Sequence, residues 1–399
     1  MSNLKLVYAH PVPIPGQAAN TVQVVKACSA FQAIGCRTVL AIPLDRPGTN
    51  KWSEIRKAYN PERRVGLWCI PFDHIPAQQL VFGGAVSLLA WLTARDAVIT
   101  RSISIARVTA AAGMPTVLEL HSPVEAERQA VIKRFNMLAK SKNLLSLVVI
   151  SEALRKHLES RWPELSGRIL STPLGGDLVT EPAQGAIPLC GDFNVGYAGQ
   201  LYPGKGMEVI LPLAQACPWA TFHIVGGAQD DIDQWRARAE SARNIIFHGY
   251  VPHARIPSFL AAFDVALAPY QRVVRGVGNN ATNLADWMSP LKAFEYMAHG
   301  KAILSSDLPV LREIFTGGET ALLCSPDDVT DWTRALTQLR DNTELRTRLG
   351  ENARRRMQRE FTREAWARKI AHDIGSRLHA RKRRRPTGQS GASRFGSNN

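Results

Sequence analysis

The sequence predicts an α/β protein built from two consecutive doubly wound parallel sheets, each the size of one Rossmann-like domain. Three observations carry this expectation. Short apolar runs rich in β-branched residues alternate with helical stretches, the pattern of strands covered by helices on both faces. The alternation lapses once, over Gly176–Asp192 (GDLVTEPAQGAIPLCGD), and then restarts. After Asp327 the pattern is almost wholly helical.

In order, strands are expected at Lys5–Ala9, Thr38–Pro43, Val65–Pro71, Val98–Arg101, Thr116–Leu120, Leu144–Ile150 and Arg168–Ser171. Helices between them include Asn20–Ala33 and Glu125–Lys140. Beyond the lapse, strands are expected at Phe193–Ala198, Thr221–Val225, Asn244–His248, Asp264–Ala268, Ala302–Ser305 and Ala321–Cys324. This divides the chain into a first domain over 1–176, a linker over 177–192, a second domain over 193–360 and a basic, disordered tail over 380–399.

A chain of 399 residues is long for one core, and 45% apolar with 21% charged residues is globular. Six scattered cysteines show no CxxC or Cys/His spacing, so neither a disulfide framework nor a zinc site is signalled. The longest mostly apolar stretch, Leu80–Leu92, is too short to cross a bilayer. The opening lacks the charged region and apolar run of a signal peptide, and the expectation is a cytoplasmic protein. Of the +15 net charge, seven basic residues and no acid lie after Ser376, leaving +8 on the rest. The block Arg381–Arg385 fits either a solvated tail or peripheral contact with an anionic membrane on the inner face; no nucleic-acid motif accompanies it.

The most informative segment is Trp287–Ile314, WMSPLKAFEYMAHGKAILSSDLPVLREI. Ser289 suits an N-cap, Pro290 the first helical position and Gly300 a left-handed stop. Lys292, Glu295 and His299 then share one helix face. The bare N–H groups of the helix start at Ser289–Leu291, where Pro290 itself has none, suit phosphate oxygens, and the Glu295 carboxylate suits sugar hydroxyls. A surface helix with a Lys–Glu pair fits the same pattern. Upstream, Gly199-Gln200-Leu201 leads through Lys205-Gly206 into a helix at Met207–Ala216, a strand–glycine loop–helix order in which backbone can approach phosphate. An ordinary strand-to-helix connection reads the same way.

The segment resembles the signature of retaining glycosyltransferase family 4, a GT-B group that moves sugars from nucleotide diphosphate donors. Glu295, Met297, Ala298, Gly300 and Lys301 match the second half of that family's paired-glutamate motif. Trp287 stands at the first glutamate's position, and Ser289-Pro290-Leu291-Lys292 replaces the Gly-rich turn, as in a branch with Ser-Pro-x-Lys there. Gln200 stands where the common form has arginine. The resemblance implies two domains facing a central cleft, with a final helix over about 361–379 crossing back to the first. It implies donor binding by Gly199, Gln200, Lys205, Tyr250, Val251, Ser289, Pro290, Leu291, Lys292 and Glu295. His121, Lys205 and Glu295 would be catalytic, and Gly16, Gln17 and His121 would face the acceptor or transferred sugar. Otherwise His121 is a capped or solvated residue at a strand end, with Glu119 on the opposite side of the strand. Ser151 reads as an N-cap, and Gln271–Ala285 as a substrate lid.

The implied reaction is transfer with retention, without metal or cofactor; Asp231 and Asp233 form a DxD but sit at a helix start where acids favour the dipole. A sugar-nucleotide epimerase of the same architecture and a catalytically silent sugar-nucleotide binder are the alternatives.

Overall fold

The computed structural model describes residues 3–15, 19–44, 51–71, 78–179, 187–239, 242–252, 255–275 and 282–383. The first half runs β1 (Lys5–Ala9), α1 (Ala19–Ala33), β2 (Arg37–Leu44), α2 (Lys51–Tyr59), β3 (Gly66–Pro71), α3 (Gln78–Leu92), β4 (Ala97–Thr100), α4 (Ile103–Ala111), β5 (Thr116–Leu120), α5 (Gln129–Ala139), β6 (Leu144–Val149), α6 (Glu152–Arg161) and β7 (Ile169–Ser171). The second runs β8 (Asn194–Ala198), α7 (Met207–Ala216), β9 (Thr221–Val225), α8 (Gln229–Arg238), β10 (Ile245–Gly249), α9 (Ile256–Ala262), β11 (Val265–Ala268), α10 (Leu291–Ala298), β12 (Ala302–Ser306), α11 (Pro309–Arg312) and β13 (Leu322–Cys324). Helices α12 (Val329–Asp341), α13 (Thr343–Glu360) and α14 (Arg363–Arg383) follow.

Two sheets form, in orders β3-β2-β1-β4-β5-β6-β7 and β10-β9-β8-β11-β12-β13. Every pairing between these strands is parallel. Every residue of β4, β5, β6, β11 and β12 is buried, so these central strands have no solvated face to mark with polar residues. Strand order reverses between β1 and β4 and again between β8 and β11. In such sheets the crevice at the carboxyl ends of the strands beside the reversal receives ligands.

Helix α14 returns to the first sheet. Trp366, Ala367, Ile370 and Ile374 enter the core of Leu6, Tyr8, Phe31 and Leu40, with the Phe31 and Trp366 rings 5.5 Å apart. The chain thus crosses between the sheets twice, and the two crossings run side by side. Gly176 N–H donates to Phe361 O at 2.9 Å and Arg363 N–H donates to Gly176 O at 3.2 Å. A Cβ at Gly175 would lie 2.9 Å from Arg363 Cα, and one at Gly176 2.9 Å from Phe294 Cβ, so this approach requires glycine. Asp177 pairs with both Lys26 and Arg363.

The two halves also meet through α6. Ser151 caps that helix by accepting from Leu154 N–H, as its sequence context suggests, and donates its hydroxyl proton to Trp287 O at 2.9 Å. Glu313 accepts from Glu152 N–H at 2.8 Å and Ala153 N–H at 3.3 Å, satisfying the N-terminus of a helix in the other half. The Trp287 ring lies 4.8 Å from that of His157.

Several expectations need correction. The helix expected over Glu125–Lys140 is a 3₁₀ turn at Val124–Ala126 followed by α5. The final helix runs to Arg383, so Arg381, Lys382 and Arg383 are helical and not part of a tail. Arg381 donates to Asn143 Oδ1 at 2.7 Å, which holds this end against the first sheet. Arg384 and Arg385 lie outside the described residues, as do Gly16, Gln17 and the middle of the Gln271–Ala285 loop. No helix among the described residues is long and apolar enough to cross a membrane.

Candidate functional site

The loop leaving β8 is pressed onto the end of β11. Gly199, Gly204 and Gly206 all have left-handed φ, at 146°, 87° and 117°. A Cβ at Gly204 would lie 2.1 Å from Val273 O, and one at Gly206 2.2 Å from Pro269 Cγ. The loop's N–H groups are largely consumed within the protein. Gly199 donates to Val225 O, Lys205 to Tyr202 O, and Gly204 and Gly206 to the Glu208 carboxylate at 2.8 and 3.2 Å. The expected cradle of free N–H groups is therefore absent at Gly199, Gly204, Lys205 and Gly206, because Val225 O takes the first, Tyr202 O the third, and Glu208 in the first turn of α7 the other two. What the loop presents instead is lysine.

Lys205 Nζ lies 4.8 Å from the Tyr202 ring centroid and 5.2 Å from that of Tyr270. Lys292 Nζ lies 3.5 Å over the Tyr197 ring and 5.1 Å from the same Tyr270 ring. Both are cation–π distances. The Lys292 amine is buried with no hydrogen-bond partner among the described residues, and a Cβ at Gly199 would lie 3.0 Å from it. Burial lowers Lys205 to about 8, and burial followed by Lys205's charge lowers Lys292 well below the usual lysine range. Burial pushes the Tyr197 and Tyr270 phenols up, so the lysines meet neutral aromatic faces. Glu295, half-buried one turn after Lys292, is close enough for its charge to favour the Lys292 ammonium.

Helix α10 starts one residue later than its sequence suggests. Pro290 is the N-cap, with no side-chain capping bond, and Leu291 is the first helical residue. The Ser289 hydroxyl is occupied elsewhere, accepting from Leu174 N–H at 3.0 Å at the end of the first half. Gly300 ends the helix with φ 62°, as expected. His299 turns its Nδ1 back to Glu295 O at 2.8 Å. Lys301 ties the strand start to Ala261 O and Phe263 O. Gln200 is exposed, and its carbonyl accepts from the Tyr197 hydroxyl at 2.6 Å. Tyr250 is 81% exposed and Val251 half-buried at the end of β10, next to Gly226, whose N–H donates to Gly249 O.

A second cluster stands at the carboxyl ends of β1, β4 and β5. Glu119, 5% exposed, accepts from the Tyr8 hydroxyl at 2.7 Å and from His121 Nε2 at 2.6 Å, with Arg101 Nε 3.9 Å away. Arg101 Nη2 also meets His121 Nδ1. Glu119 and His121 therefore share a strand face, contrary to the expectation of opposite sides, because residues two apart point the same way. Burial alone would raise Glu119; Arg101, then His121 and Tyr8, overcome it and hold the carboxyl at about 2. The ionised carboxylate fixes the proton on His121 Nε2, and both imidazole nitrogens are engaged inside this network. His10 is buried beside it with neither nitrogen hydrogen-bonded among the described residues, lowered to about 4 first by burial and then by Arg101.

Among the described residues no group of three or more His, Cys, Asp or Glu is arranged to hold a metal ion. Asp230, Asp231 and Asp233 lie within α8, and Asp233 is engaged by Gln229 and Arg236.

Residues 192–342 match the family described as glycosyl transferases group 1. Sucrose-phosphate synthase from Thermosynechococcus elongatus superposes with a TM-score of 0.70, covering 95% of this chain and 100% of that one at 17% identity. Anabaena HepE in complex with UDP gives 0.69, covering 94% and 100%, also at 17%. The fold is GT-B. A glycogen synthase of Mycobacterium tuberculosis is 26% identical over 223 residues, 54% of this chain and 50% of that protein. The chain spans about half the length of the curated relatives it matches. In this GT-B frame Gly199, Lys205, Lys292 and Glu295 gather at the switch point of the second sheet, and His10, Arg101, Glu119 and His121 at that of the first. Sequence reasoning missed Tyr197, Tyr202 and Tyr270, since a tyrosine in or beside a strand reads as core. It also missed Arg101, whose position at the last residue of an expected strand was the available signal.

Proposed function

We propose that this protein is a glycosyltransferase that moves a sugar from a nucleoside diphosphate donor to an acceptor hydroxyl with retention of anomeric configuration, in glycan or cell-envelope polysaccharide or glycolipid synthesis. One observation carries the reading: two lysines converge at the switch point of the second sheet with aromatic faces in place of carboxylate hydrogen bonds. With Glu295 as its nearby carboxylate, such a site holds more positive than negative charge and accepts a further anion from a ligand. The UDP and UDP-glucose complexes of HepE support a diphosphate as the ligand class.

In this reading Glu295 accepts from ribose hydroxyls. Lys205, Lys292 and the uncapped N-terminus of α10 stabilise charge as the bond from the anomeric carbon to the diphosphate lengthens. The acceptor oxygen attacks from the face the diphosphate leaves, and the departing phosphate takes the acceptor's proton. No metal takes part. Peripheral contact with an anionic inner membrane surface through the basic end of α14 and the residues after it belongs to the same proposal.

Thermal-shift screening against UDP-, GDP-, ADP-, dTDP- and CMP-sugars, followed by NMR of the product's anomeric proton, tests it. Stabilisation by one base class and a product of unchanged anomeric configuration are expected. A donor that binds and is returned unaltered or epimerised would replace transfer with silent binding or epimerisation. No stabilisation by any donor would sink the reading.

A further inference from the structure

Lys292 is a buried ionisable group whose surroundings fit poorly with a permanent charge. An ammonium carries three donors, and Lys292 Nζ has no hydrogen-bond partner among the described residues at 9% residue exposure. It is the second residue of α10, where the helix dipole is positive. Lys205, from the loop before α7, flanks the same Tyr270 ring. Facing it from β8 and the end of β11 are the phenols Tyr197 and Tyr270, with Tyr202 on the Lys205 side. The Glu208 carboxylate of α7 is committed to Gly204 and Gly206 N–H. On α10 itself stand Glu295 and Tyr296, the latter's hydroxyl accepting from Ala198 N–H. Burial, a like charge and the helix end thus oppose the ammonium, and Glu295 with the π faces favours it.

We propose that Lys292 waits as a neutral amine and takes up a proton from solvent as the donor's diphosphate arrives, so that donor binding and protonation are one event. The inference rests on the donor-site reading above. A neutral amine is far less costly to bury than an unpaired ammonium. A diphosphate arriving at the Gly199 loop, against which Lys292 Nζ packs, brings the opposite charge that restores the ammonium. No covalent bond to the donor forms; water gives up the proton and the amine nitrogen gains it. The Tyr197 ring then acts as a positioning surface that keeps the amine beside Gly199 between turnovers.

Isothermal titration calorimetry of the whole chain at about pH 7, in buffers of different ionisation enthalpy, reads the proton directly. The probes are UDP-glucose and its GDP, ADP and dTDP counterparts, whose diphosphates carry no proton near that pH. Lys205, held at about 8, is mostly charged there already. Uptake approaching one proton per bound molecule is expected. It should vanish in Lys292→Arg, since a guanidinium stays charged, and in Lys292→Met if arginine does not fit. Wild-type binding heat that ignores the buffer would overturn the inference and leave the donor-site reading intact. Uptake that persists unchanged in both variants would also overturn it, by placing the proton elsewhere. Absence of binding by all four sugars would sink the donor-site reading and this inference together.

Discussion

The carboxyl edges of the two sheets solve opposite electrostatic problems. At the first, Arg101, Glu119, His121 and Tyr8 close a network on themselves, with the buried carboxylate paired on several sides. At the second, Lys205 and Lys292 have aromatic faces and one nearby glutamate, and Lys292 has no hydrogen bond among the described residues. A closed network favours the resting fold. An open pair of lysines sacrifices some resting stability to hold a place for a charge that comes from outside.

The largest test of this contrast is stability. Removing one partner of a buried pair costs about 3–5 kcal/mol, so Glu119→Ala should lower the denaturant midpoint substantially, leaving Arg101 uncompensated. Lys292→Met should be neutral or stabilising while donor binding weakens. Equal destabilisation by the two would erase the distinction between the edges. Next is catalysis: loss of one charge-stabilising donor at a leaving group costs about 10²–10³ in kcat. Lys205→Ala should reduce transfer by that order and leave binding of a free nucleoside unchanged; a parallel loss of nucleoside binding would mean that Lys205 supports the loop and not the diphosphate. Glu295→Ala should weaken nucleotide binding about tenfold or more, the worth of a charge-assisted bond of roughly 1.5–3 kcal/mol. Wild-type affinity in that variant removes Glu295 from the site.

The smallest effects appear in the pH dependence: stability rises with pH at both edges, in acid windows at the first and in an alkaline window at the second. His10, held near 4 in the fold, binds fewer protons than in the unfolded chain between about 4 and 6.5, so stability falls as pH drops through that window. Glu119, held near 2, adds stability above its ordinary value of about 4.3 that is lost as pH falls toward 2. Lys205, depressed to about 8, makes the fold more stable as pH rises from about 8 toward 10.4. Urea titrations across pH should show His10→Gln flattening the acid limb and Lys205→Ala flattening the alkaline one. An alkaline limb unchanged in Lys205→Ala would refute the claim of a buried lysine there.

The order and type of the strands were legible because parallel strands buried on both faces leave continuous apolar runs, as at Leu144–Val149. The Gly199–Gly206 loop and the Lys292–Glu295 helix were legible from glycine placement and helical spacing. What escaped was set by contacts distant in sequence. Ser289 looked like a cap, but its hydroxyl is claimed by Leu174, 115 residues away. Trp287 gave no sign that it would dock beside His157 with its carbonyl on Ser151. The pairing of Glu119 with His121 was readable from strand period alone.

The side-by-side crossings at Gly176 and Thr362 have a mechanical consequence. Two tethers hydrogen-bonded to one another resist twisting and sliding, leaving rotation about the line through them as the soft motion of one half against the other. Glu313 and Trp287 reach across to the N-terminus of α6 away from that line. A rotation that swung the halves apart would take the Glu313 carboxylate from α6 and leave the positive end of that helix to its own Ser151 cap and to any anion nearby.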